Sequence, residues 1–274
     1  MGLLTDMHQS SLQRVQEAKL RVPEAALRAG ILATPSPPKL VLANFGFDVI
    51  AELKLRSPSL GELSARTTDP VKRLEGYAEG GAAVCSILTE PTRFDGSLDH
   101  LRVAADELGS YGVPAMRKDF LVDPYQVLEA RAYGASGVLL IVRMVPRETL
   151  VAMLDCAAEQ AMFVLLEAFD AEDLRVAGEL ARERRGRVEQ ILMGLNCRDL
   201  ETLQIDFQRF AQLRGRMPLD WPSVAESGIS TPEDAGRVAA LGYRLALVGT
   251  TLMRRPDPAR AVRELLEAGR RALP

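Results

Sequence analysis

From Asp48 to the C-terminus, a short apolar run followed by an amphipathic stretch of helical character recurs eight times. The runs are DVIAELK (48–54), AAVCSIL (82–88), VPAMRK (113–118), GVLLIV (137–142), MFVLLE (162–167), ILMGLN (191–196), PSVAE (222–226) and RLALVG (244–249). Short, nearly continuous hydrophobicity suits strands buried on both faces, as in a parallel sheet. The stretches between them open in a common way. Asp69-Pro70, Asp123-Pro124 and Asp257-Pro258 each set a capping acid before a proline at the first helical position, and Thr231-Pro232-Glu233 uses a hydroxyl instead. Apolar residues then follow at helical spacing, as at Val71, Leu74 and Ala78. Eight strand–helix units predict an α/β fold closed into a (β/α)8 TIM barrel. An open doubly wound sheet fits less well, because no GxGxxG turn follows the first run.

Residues 1–47 stand apart. The stretch 9–30 reads as helical with an interruption at Pro23, and a Pro-rich connector (ATPSPPK, 33–39) follows. This segment is too small to hold a core of its own. It is expected to pack on the barrel, as an N-terminal helical extension and linker belonging to the same domain as residues 48–274.

A length of 274 residues accommodates one such barrel, and a 47% hydrophobic composition supplies its core. The net charge of -3 argues against an extended nucleic-acid surface. No apolar run approaches the roughly 20 residues that cross a bilayer, and the N-terminus lacks an export signal, so a cytoplasmic location is expected. Cys85, Cys156 and Cys197 are scattered, with neither metal-like spacing nor a disulfide framework. With only two histidines, His8 and His100, proton transfer near neutral pH falls to carboxylates, lysines, tyrosines or a thiol. Of 34 basic residues only five are lysines: Lys19, Lys39, Lys54, Lys72 and Lys118. An arginine does not surrender its proton usefully, whereas a partly buried lysine can. Lys19, Lys39 and Lys72 read as solvated side chains, which leaves Lys54 and Lys118.

In barrels of this kind the reactive groups stand at the C-terminal ends of strands. The first run ends in Glu52 and Lys54, two residues apart and therefore on one side of the strand. The second runs into Thr89-Glu90, the third ends at Lys118-Asp119, the fifth at Glu167, the sixth at Asn196 and the seventh at Glu226-Ser227-Gly228. Charges inside apolar strands cost several kcal/mol unless they are paired or share a polar cavity. A lone strand-end charge is more often a structural ion pair than a catalyst, but convergence of Glu52, Lys54, Lys118, Glu167 and Glu226 favours one polar site. Two glycine-containing turns, Ser227-Gly228-Ile229 and Gly249-Thr250-Thr251, follow the seventh and eighth strands, where barrels bind phosphate through backbone N–H groups. Arg56-Ser57-Pro58-Ser59, past the first strand, offers further hydroxyls or a turn fixed by proline.

Seven ordered segments carry a resemblance: VIAELKLRSPSLG (49–61), LTEPTRFDGSLDHL (88–101), RKDFLVDPYQVLEARAYGASGVLLIV (117–142), LLEAFD (165–170), GLNCRDLETL (194–203), AESGIS (225–230) and LVGTTLM (247–253). Together they resemble the indole-3-glycerol phosphate synthase family of tryptophan biosynthesis. The resemblance implies a carboxy-lyase that uses neither metal nor organic cofactor. Its small phosphorylated substrate would be 1-(2-carboxyphenylamino)-1-deoxyribulose 5-phosphate, closed to an indole with loss of carbon dioxide and water. By the same resemblance Lys118 is the general acid and Glu167 the base or dehydration partner. Glu52 positions Lys118 or shares in proton transfer, and Lys54 meets substrate anions. Asn196 and Glu226, with Ser227 adjacent, hold the hydroxyl and carboxylate region. Ser57, Gly228, Gly249 and Thr250 fall where the family grips phosphate. Phe94 and Phe120 are candidates to pack the aromatic ring, with core packing the plainer role for a phenylalanine. Arg198 is a further substrate-binding candidate. The resemblance implies a monomer or weak homo-oligomer, with room for association with other tryptophan-pathway enzymes and no nucleic-acid or membrane partner.

Six positions depart from the family pattern: Leu55, Ala168, Phe169, Cys197, Ala225 and Thr250. They suggest a divergent member or a paralogue. Rival readings are a sugar-phosphate isomerase, a Schiff-base aldolase using Lys118 or Lys54, and a non-catalytic barrel that binds a phosphorylated ligand. A Cys/Asp isomerase built on Cys85 ranks low for want of an acid partner. Cys197 beside Arg198 is either a reactive thiol or, in the favoured reading, a passive small residue.

Overall fold

The structure, a computed structural model, describes residues 2–44, 46–57, 61–62, 69–187 and 190–273, with the backbone alone for 57, 61 and 62. Among these residues eight parallel strands close into a barrel. They are β1 (Asp48–Leu53), β2 (Val84–Leu88), β3 (Ala115–Lys118), β4 (Gly137–Ile141), β5 (Phe163–Ala168), β6 (Ile191–Asn196), β7 (Ser223–Glu226) and β8 (Leu245–Val248). Each strand pairs with its neighbour in sequence, and β8 pairs back onto β1 with Asp48 opposite Leu245. The predicted runs and the strands coincide to within about two residues at each end.

Alternation along each strand sorts the side chains into two cores. Ile50, Val84, Met116, Leu165, Val224 and Leu245 form one buried cluster, which fills the barrel. The intervening Val49, Ala51, Cys85, Val164, Ala225 and Ala246 belong to the larger cluster between strands and helices. With both faces buried, the strands have no polar face to show, which is why they read as continuous apolar runs.

All four anticipated helix starts are capped by the residue expected. Asp69 accepts from the Val71 N–H at 2.9 Å, Asp123 from Tyr125 at 2.8 Å and Asp257 from Arg260 at 2.9 Å. Thr231 accepts from Asp234 at 3.2 Å within a reciprocal capping box.

The N-terminal segment holds two helices, α1 (Leu3–Arg21) and α2 (Glu24–Leu32), broken at Pro23 as anticipated. The first begins well before residue 9, because Met7, Ser11 and Val15 extend its buried face back toward the terminus. Ser11 donates to the Phe120 carbonyl at 2.5 Å and accepts from Gln126 Nε2 at 2.9 Å. Arg14 lays both terminal nitrogens on the Asp119 carboxylate at 2.9 and 2.8 Å. These contacts dock α1 on the C-terminal end of β3, beside the barrel mouth. Lys19 is not merely solvated: it pairs with Asp123 at 2.7 Å.

Candidate active site

Strand geometry brings the anticipated ionisable residues into one place. Glu52 and Lys54, on the same side of β1 and its extension, form an ion pair of 2.6 Å. Lys118 closes β3, and its Nζ lies 3.7 Å from Glu167 Oε1 on β5 and 3.7 Å from Glu226 Oε2 on β7. Asn196, at the end of β6, donates from Nδ2 to Glu167 Oε1 at 2.7 Å and accepts the Arg198 N–H on Oδ1 at 2.9 Å. The amide is thereby held at both ends, and it fixes the carboxylate it touches.

These six side chains line a cavity of about 540 Å³ at the C-terminal end of the barrel. Phe94 and Phe120 also line it, with ring centroids 6.2 Å apart. So do Ser227 and Gly228 of the turn after β7, and Gly249 and Thr250 of the turn after β8. Arg198 lines it too, with Nη1 donating to the Leu203 carbonyl at 2.9 Å. The Ser57 side chain lies outside the described residues. Gly249 has a second consequence, because a Cβ there would fall 2.2 Å from Glu52 Oε1. Its missing side chain leaves the space in which Glu52 lies.

The charges are strongly coupled. Burial pushes the Lys118 amine down, but the facing charges of Glu167, Glu226 and Glu52 outweigh it and hold the ammonium above the ordinary lysine range. Burial pushes the Glu226 carboxyl well above the usual range, the Glu167 charge pushes it further, and Lys118 opposes without reversing the shift. Both Glu226 oxygens are buried without a hydrogen-bond partner among the described residues. A cation and a carboxyl that holds its proton more tightly than usual thus sit within reach of the Glu167 side chain, which is the composition an acid–base site requires.

Other strand-end groups have structural duties. Glu90 caps the helix Pro91–Phe94, accepting from the Thr92 and Arg93 N–H groups at 2.9 and 2.7 Å, and Thr89 donates to Asp119 at 2.7 Å. Neither lines the cavity, which β2 reaches through Leu88. Asp119 does line it, but its carboxylate is engaged by Arg14, Arg117 and Thr89. Cys197 is the passive residue: its buried Sγ donates to the Ser227 carbonyl at 3.4 Å, and burial, against the pull of Arg198 and Arg209, leaves the thiol pushed up to about 12. Cys85 is buried in the outer core. Sequence reasoning missed Leu3 of α1, and Leu200, Leu203 and Ile205 of the segment after β6, all of which line the cavity. No local pattern marks them, since they reach it only through the docking of distant segments.

A closed (β/α)8 barrel with two amines, three carboxylates and an amide gathered at its C-terminal mouth defines the class: a barrel enzyme equipped for amine–carboxylate proton transfer. The family model for indole-3-glycerol phosphate synthase matches residues 4–265, and the chain belongs to that family, a family of carboxy-lyases of tryptophan biosynthesis. A Kineococcus radiotolerans protein of that name is 44% identical over 224 residues, covering 82% of this chain and 77% of its own. One from a Nocardioides species is 40% identical over 268 residues, covering 97% and 98%. Among solved structures, 3-hexulose-6-phosphate synthase from Salmonella typhimurium shares the fold, with a TM-score of 0.64 at 10% identity over 82% of this chain and 100% of its own.

With six departures from the family pattern, the six central side chains still line the cavity. Ala225 and Cys197 are buried in the outer core, and Phe169 is buried with the Arg143 guanidinium 5.2 Å from its ring centre.

Proposed function

We propose that this protein closes 1-(2-carboxyphenylamino)-1-deoxyribulose 5-phosphate to indole-3-glycerol phosphate, with Lys118 and Glu167 as the acid and base. The observation that carries the reading is the Lys118 ammonium, 3.7 Å from both Glu167 and Glu226 at the cavity's polar wall. Held above its ordinary range by the facing glutamates, the amine stays an ammonium, which is a poor nucleophile but can still give up its proton to a more basic alkoxide. That favours a general acid over the Schiff-base aldolase alternative.

The ring carbon that bears the carboxylate attacks the ketone carbon, forming the carbon–carbon bond while Lys118 protonates the developing alkoxide. Carbon dioxide leaves from that ring carbon and restores the aromatic sextet. The new hydroxyl then departs as water with a second proton drawn from solvent, the net proton that the reaction consumes. Glu167 removes a proton from the carbon next to the ring nitrogen, which completes the pyrrole double bond. Asn196 keeps Glu167 aimed through its 2.7 Å hydrogen bond. Lys54, held by Glu52, meets the substrate carboxylate. The turns at Ser227-Gly228 and Gly249-Thr250, with Ser57, receive the phosphate, and Phe94 and Phe120 flank the aromatic ring. Residues 1–47 act as part of the barrel's domain, a reading supported by the Ser11 and Arg14 contacts. The setting is cytoplasmic and the substrate diffusible; among the described residues no helix is long and apolar enough to cross a membrane.

The test is to incubate purified protein with the carboxyphenylamino-deoxyribulose phosphate and follow indole fluorescence and carbon dioxide release. Stoichiometric release of both is expected. Binding without turnover supports the ligand-binding alternative, and a borohydride-trapped ketose phosphate adduct on Lys118 supports the aldolase.

A further inference from the structure

The run ILMGLN carries a glycine in the middle of a buried strand, where glycine weakens the strand and contributes no side chain to the core. Gly194 lies on β6 opposite Glu167 of β5 on one side and Val224 of β7 on the other. It shares the inward face of its strand with Asn196, two residues on. A Cβ built on Gly194 would fall 2.1 Å from Glu226 Oε1 and 3.2 Å from its Cδ. Apart from Glu226, the near neighbour is Leu165 Cδ1 at 3.1 Å, the flexible end of a side chain. The Glu226 carboxyl therefore occupies the volume that any other residue at 194 would fill.

We infer that Gly194 is a positioning residue, whose absent side chain lets Glu226 fold down from β7 into the layer of Lys118 and Glu167. Over Gly194, Glu226 is 1% exposed, with Oε2 3.7 Å from Lys118 Nζ. With a methyl group at 194 the carboxyl must swing away, and the link between Glu226 and Lys118 is lost. Any role of Glu226 in turnover rests on the function proposed above, whereas the packing relation does not.

The experiment is a double-mutant cycle on Gly194→Ala, Glu226→Ala and the pair, reading kcat, KM and melting temperature. Gly194→Ala is expected to lower kcat to within about threefold of Glu226→Ala, with KM moving less than kcat, and the pair is expected to lose nothing further. In melting, Gly194→Ala falls below wild type, yet the pair melts no lower than Glu226→Ala, since the methyl group then has room. Wild-type kcat in Gly194→Ala beside a slowed Glu226→Ala overturns the inference. So does a pair that melts below Glu226→Ala by as much as Gly194→Ala melts below wild type. Should Gly194→Ala fail to fold, a folded pair supports the inference and an unfolded pair overturns it. An inactive wild type, or a Glu226→Ala as active as wild type, contradicts the functional reading instead, and the melting comparison still decides the seating of Glu226.

Discussion

Asp119 receives both terminal nitrogens of Arg14, at 2.9 and 2.8 Å, one residue after Lys118. The N-terminal helix is thus tied to the same strand end that presents the central amine. Removing Arg14 leaves Asp119 with Arg117 at 3.2 Å and Thr89 at 2.7 Å, so the carboxylate stays partly satisfied. Arg14→Ala is expected to cost about 1.5–3 kcal/mol, the range for hydrogen bonds to a charged group. Urea unfolding measures it; an unchanged midpoint would mean that α1 docks by apolar contact alone.

Acid sensitivity follows from the same carboxylate. Burial pushes Asp119 up, but the hydrogen bond and charge of Arg14, the charge of Arg117 and the Thr89 hydroxyl outweigh it and hold the carboxyl well below the usual range. A depressed folded-state value contributes stability that is complete above the unfolded value of about 4 and lost as pH falls toward the folded one. Wild-type melting temperature should therefore drop steeply below about pH 4, and Asp119→Asn should show a flatter profile there. Parallel profiles would remove Asp119 from the explanation.

Glu226 carries the opposite sign. Its folded-state value is raised, so its contribution favours folding most below the unfolded value of about 4.3 and is lost as pH climbs through the folded one. Glu226→Gln, which mimics the protonated acid, is expected to melt above wild type at pH 8, with the gap closing toward pH 4. A gap that is constant with pH would contradict the shift.

Glu167→Gln keeps the Asn196 contact in shape but removes the base. A loss of about 10²–10⁴ in kcat is expected, with KM within a few-fold of wild type, as for removal of a general base. Steady-state kinetics decide it; a large KM change with kcat preserved would make Glu167 a binding group.

Much of the architecture was legible because it follows from local rules. Short, nearly continuous apolar runs marked all eight strands, and Asp or Thr before Pro marked four helix starts. Strand-end position then picked out Glu52, Lys54, Lys118, Glu167, Asn196 and Glu226, which do meet around one cavity. Glu90 shows where strand-end position is ambiguous: an acid that ends a strand and an acid that caps the next helix look alike, and Pro91 behind it is the cue that separates them. The buried Arg117, which donates to Thr89, Gln126, Glu129 and Asp119, lies on the outward side of β3, and its partners come from three separate segments. Gly194 was invisible for a related reason. A strand glycine gives no sign of which neighbouring side chain needs the space.

The measurement that bears most directly on the central claim is a single-turnover comparison of wild type and Lys118→Ala with enzyme in saturating excess over substrate, folding being verified by circular dichroism. The account predicts indole formation by wild type and none above background by the folded Lys118→Ala protein. Indole formation at a comparable rate in that variant would contradict it.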